Sequence, residues 1–140
     1  MGRLRPIVLC YALAAIGSAA AEDPPPFRQG MWEFDRSAGP QRLHKTECTN
    51  PGEDMKRQNE MMAKAGECKF STPQRSGSTY TFSAECNMQG PQGGRISFRS
   101  TSVMTVESDS AYRIEVTTTG GPGPPGKELL TARRTGDCTK

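Results

Sequence analysis

The spacing of the cysteines limits this chain more than any other feature. In "ECKFSTPQRSGSTYTFSAEC", residues 67–86, Cys68 and Cys86 stand nine residues to either side of Gly77. Folding the stretch as a hairpin about Gly77 gives opposed pairs whose numbers sum to 154. Cys68 then faces Cys86, Phe70 faces Ala84 and Thr72 faces Phe82, while Lys69 meets Glu85 and Ser71 meets Ser83 on the other face. Both arms alternate with period two in one register, leaving one apolar face and one polar face with an opposite-charge pair. Cysteines directly opposed across antiparallel strands lie near the Cα separation a disulfide needs. The stretch therefore predicts a Cys68–Cys86 bridge.

The ends of the chain place that bridge in an oxidising compartment. Arg3 and Arg5 precede the apolar run "IVLCYALAAIG", Ile7 to Gly17, which is too short for a stable membrane span. "SAAAED" follows, with Ala19-x-Ala21 in the small-residue pattern of a cleavage site. Residues 1–21 are expected to be a secretory signal peptide, cut after Ala21, and location in the periplasm or outside the cell follows from it. Cys10 does not read as a lipid-attachment site, because Leu9 before it is large. Without Arg3 and Arg5 the formal charge falls from +3 to +1, so the electrostatic case for a nucleic-acid partner disappears. No second apolar run is long enough to cross a membrane. Four cysteines remain, and an even count in a small exported domain reads as a disulfide framework. With Cys68 and Cys86 paired, Cys48 pairs with Cys138. No C-x-x-C occurs and His44 is the only histidine, which argues against zinc and for no cofactor.

About 119 residues suffice for one small domain. Proline-rich residues 22–29 read as a flexible start and 30–140 as one disulfide-stapled, β-rich domain. "RQGMWEFDRS" alternates as a first strand with Trp32 and Phe34 on one side, and "QRLHKTEC" is a poorly alternating second. "TNPGEDMKRQNEMMAKAG" predicts a helix, with Asn50 as N-cap, Pro51 at the first position, Glu53 in a capping box and Gly66 as the stop. Its apolar stripe, Met55, Met62 and Ala65, is thin, so the helix is expected to lie on a surface. After the cysteine hairpin, "RISFRSTSVMTV" and "AYRIEVTTT" pair with sum 218, placing Met104 against Ile114 and Val106 against Tyr112. "GGPGPPG" is an exposed loop, and "KELLTARRTGDC" is a last strand. The expected fold is mainly β, an antiparallel meander of about seven strands curling into a half-barrel or barrel, with one helix inserted after the second strand.

The order of "GMW", Cys48 before a Met-containing helix, two hairpin cysteines and a terminal "TGDC" resembles the small exported bacterial family catalogued as domain of unknown function 3617. The resemblance covers essentially the whole chain after the leader and rests on Gly30, Trp32, Cys48, Cys68, Cys86, Gly136, Asp137 and Cys138. It implies an envelope location and no established activity. The triplet Gly30 to Trp32 is also similar to the G-x-W of lipocalins, where an arginine of a late strand stacks on the tryptophan. Arg133 or Arg134 is placed for that part, and the family pattern points to Arg134.

No catalytic constellation is visible. His44 reads as a surface residue, and Glu107 and Asp109 as turn residues. The expected function is a non-catalytic binding or interaction module with an unknown envelope protein as partner. One alternative is a carrier of a small apolar ligand in a lipocalin-like cup, although Ser100 and Ser102 make that interior polar in places. The other is a Cu(I) site on Met55, Met61 and Met62, since thioethers are soft ligands.

Overall fold

The computed structural model describes residues 25–121 and 124–139. The expected leader and part of the "GGPGPPG" loop lie outside the described residues. Alternating apolar positions and tight turns produce β1 (Gly30–Ala38), β2 (Gln41–Thr49), β3 (Cys68–Phe70), β4 (Gln74–Ser76), β5 (Thr79–Gln89), β6 (Arg95–Ser108), β7 (Ala111–Thr119) and β8 (Gly126–Gly136). The one helix among the described residues, α1 (Pro51–Lys64), follows β2. All pairings are antiparallel, in the order β2-β1-β8-β7-β6-β5-β3, with β4 also on β5. The sheet curls without closing. Among the described residues its free edges are β2 on one side and the β3 and β4 pieces on the other.

Even-numbered residues from β1 and β5 to β8 share the inner face. Register sets Phe34 against Ala132, Tyr112 against Ala132, Met104 against Ile114 and Tyr80 against Met104. These positions form the main core, with Phe27, Trp32, Tyr80, Met104, Tyr112, Ile114 and Ala132 buried. A second cluster, Cys68, Ala84 and Cys86, lies near the far edge. The chain crosses between the two edges through α1. Met55 packs on the main core and Met62 on the second cluster, so one side of the helix lies on the sheet. Asn50 caps α1 by accepting from the Gly52 and Glu53 amides. Past Lys64 the amides of Gly66 and Glu67 turn back to the carbonyls of Ala63 and Met62, which ends the helix in a Schellman motif. Ala65, expected on the apolar stripe, is instead the exposed C-cap.

Two further expectations are corrected. The sum-154 register holds for Cys68, Lys69 and Phe70, but Gln74, Arg75 and Ser76 pair with Thr81, Tyr80 and Thr79, a sum of 155. The turn is the two-residue Gly77-Ser78, with Gly77 at φ +60, and a two-residue loop demands the odd sum. The slip is absorbed at Thr72 and Pro73, where proline has no amide for the ladder, so Thr72 does not oppose Phe82. This break divides one expected strand in two, making eight strands rather than about seven. The packed unit also starts before residue 30. Phe27 is 5% exposed and stacks on Tyr112 with ring centroids 4.6 Å apart, because the inner face needs a ring beneath the first turn of α1.

Candidate functional site

The residues singled out at the two ends of the sequence meet at one pole of the sheet. Trp32, fully buried, is surrounded by Phe27 at 5.8 Å, Tyr112 at 5.8 Å and Phe34 at 6.4 Å between ring centroids. Its indole nitrogen donates to the Arg28 carbonyl at 2.9 Å. Register decides between the two arginines. Arg134 is opposite Trp32, while Arg133 is opposite Glu33 on the outer face and pairs with it at 2.6 Å.

Arg134 does not cover the indole as the lipocalin comparison suggested. Its Nε donates to the Gln29 carbonyl at 2.9 Å, and its other end pairs with Asp137. The guanidinium lies over Gly30. A Cβ there would come within 2.8 Å of Arg134 Cζ and would strike both Arg134 Nε and the Gly136 carbonyl oxygen. Gly30 is therefore required by close approach. A cation–ring contact lies elsewhere, with Arg75 over Tyr80 at 5.4 Å. A β-bulge between Met31 and Trp32 accommodates Thr135, whose hydroxyl donates to the Met31 carbonyl. The chain end then reaches Cys48, and the Cys48–Cys138 bridge spans Cα atoms 5.4 Å apart. Gly30, Trp32, Arg134, Gly136, Asp137 and both these cysteines thus form one clasp. Cys68 and Cys86 are bridged 4.1 Å apart at Cα, on the far side of the sheet.

Beside the clasp, α1 begins over Tyr112. Asp54 accepts from the Thr49 hydroxyl and pairs with Arg57. Burial, and secondarily the Asp54 charge, push the Tyr112 phenol up to about 12. The candidate metal ligands are dispersed. Met55 and Met62 belong to different clusters about 10 Å apart along the helix, and Met61 is 60% exposed.

Strands β1, β2 and β8 leave a groove open further along the inner face. It holds about 390 Å³ and is lined by Phe34, Arg36, Leu43, Lys45, Glu47 and Leu130, with His44 at its edge and no residue from α1. Its floor is apolar. Its rim is ionic, with Arg36 on Glu128 at 2.6 Å and Lys45 paired with Glu47. Leu43 is 62% exposed. On the outer face a second groove of about 310 Å³ runs along Asp35, Ser37, Arg42, Leu43 and Leu129. There His44 Nδ1 sits 2.8 Å from Asp35, both side chains exposed. The one trace of this region in the residue pattern is the poor alternation of "QRLHKTEC", which marks a strand exposed on both faces.

An antiparallel, disulfide-stapled half-barrel closed at one pole by an aromatic clasp defines the class of protein. Residues 27–138 match the family described as "Protein of unknown function (DUF3617)", and the chain belongs to it. No curated protein and no solved structure matches the chain. Among the described residues, no helix is long and apolar enough to cross a membrane.

Proposed function

We propose that the protein is an exported interaction module of the cell envelope that takes a partner polypeptide on the uncovered part of its inner face. The observation that carries this reading is the apolar groove over Phe34, Leu43 and Leu130, which opens directly onto the free edge strand β2. A strand with unpaired amides and carbonyls next to an apolar groove is suited to receive extended chain, whose alternate side chains enter the groove. The leader-like start and the two bridges support export. A carrier of small apolar ligands calls for a closed or deeply cupped barrel. This sheet ends in two free edges, and Ser102 is buried on its inner face.

A photoreactive side chain placed at Leu43 in intact cells tests the proposal, with Arg113 on the outer face of β7 as control. Polypeptide adducts at Leu43 and none at Arg113 are expected. Adducts of lipid mass at Leu43, or no adduct there, would contradict it.

A further inference from the structure

The two edges of the sheet are unequally protected. On the far side, Pro73 and a one-residue slip break the edge into two three-residue pieces. Such interruption prevents edge-to-edge pairing. On the near side, β2 runs nine residues against β1 in one unbroken register, from Gly30 opposite Thr49 to Ala38 opposite Gln41. It contains no proline and no bulge, and grooves flank it on both faces.

The charges on β2 indicate what would pair with it. In a two-fold pairing with the axis normal to the sheet, faces are kept, so residues of equal parity oppose one another. A register summing to 90 sets Lys45 against Lys45, and 94 sets Glu47 against Glu47. A register of 88 sets Lys45 against Leu43. The register of 92 sets Lys45 of each copy against Glu47 of the other, twice, with Leu43 over Thr49 and Thr46 opposite Thr46. Opposite charges directly across a strand pair stabilise it and like charges oppose it. We infer that β2 pairs antiparallel with β2 of a second copy of this chain in that register, joining two sheets across a two-fold axis. The inference rests on the interaction reading of the β2 groove and names its partner.

Sedimentation velocity of the purified, oxidised protein over a concentration series tests it. The wild type is expected to pass from monomer to dimer. Lys45→Glu, which sets two glutamates against each other, is expected to weaken the dimer by about tenfold or more. The double swap Lys45→Glu with Glu47→Lys restores the opposite pairing and is expected to restore the dimer. Both residues are exposed, and near-ultraviolet circular dichroism verifies that each variant keeps its fold. A wild type that stays monomeric at its highest soluble concentration would overturn the inference, as would a dimer indifferent to Lys45→Glu. A swap that fails to restore association would overturn the register. If the protein is monomeric while Leu43 crosslinks to a different polypeptide, the second copy is excluded and the interaction reading stands. If Leu43 yields no polypeptide adduct either, both fall.

Discussion

Strands β1, β2 and β8 carry two neighbouring regions that treat the same inner face differently. At the clasp, Trp32 is fully buried under Phe27 and Tyr112, Arg134 has found its partners, and a disulfide ties the chain end across β1. Two residues along β1, the face becomes Phe34 with Leu43 and Leu130, no part of α1 reaches it, and Leu43 is mostly in water. The difference lies in what covers the sheet. Phe27 and the first turn of α1 close the pole, while the helix then crosses to the far edge, where Met62 meets the second cluster. One region therefore holds the fold and the other is left uncovered. Substitutions in the first should lower stability, and substitutions in the second should affect association.

The largest effect is expected from Trp32→Ala, which empties the centre of the clasp. It should unfold the domain or cost about 3–5 kcal/mol in urea denaturation. A double Cys→Ser change opens the Cys48–Cys138 loop, whose ends are 90 positions apart in sequence. The expected loss is roughly 4.5 kcal/mol, against roughly 3 for the shorter Cys68–Cys86 loop. Equal losses from the two bridges would remove the distinction between the clasp and the far edge.

Tyr112 gives the clasp a pH signature. Its phenol is raised from 10.0 to about 12 in the fold, so the folded chain holds that proton more tightly than the unfolded one. This contribution, ~3 kcal/mol at most, is complete below the unfolded value and is lost as pH climbs from 10.0 towards about 12. The urea midpoint should fall across that window, and Tyr112→Phe should flatten the fall. A smaller effect, about 1–3 kcal/mol, is expected from Gly30→Ala, because the added methyl must displace both the Arg134 guanidinium and the Gly136 carbonyl.

Local pairing was legible in the sequence. The spacing of Cys68 and Cys86 and the parity of Phe70 and Ala84 gave the β3–β5 register, and Met104 with Ile114 gave that of β6 and β7. Asn50 and Pro51 marked the start of the helix. What escaped depended on distant contacts or on one turn. The loop of Gly77 and Ser78 shifts the register by one, and only the missing amide of Pro73 indicates where the shift is absorbed. Phe27 looked like part of a flexible proline-rich start, because nothing local reveals that Tyr112 waits for its ring. Arg134 was identified, but its target was not. Alternation at "LLTARR" is ambiguous, and the bulge at Met31 that turns Arg134 onto Gly30 is a product of β1–β8 pairing. The groove was hidden for the same reason, since its lining comes from β1, β2 and β8, which the meander alone would not bring together.

Polypeptide binding in the uncovered groove and retention of the fold by the clasp are separable by substitution. Native mass spectrometry of the protein isolated from the cells that make it, as wild type and as Leu130→Glu, distinguishes the two. An additional polypeptide mass is expected on the wild type. Leu130→Glu is expected to lose that mass and to cost less stability in urea denaturation than Trp32→Ala, because Leu130 is only partly buried against the core. A polypeptide mass that survives Leu130→Glu, or a bound species of lipid mass in its place, would overturn the groove as a polypeptide site.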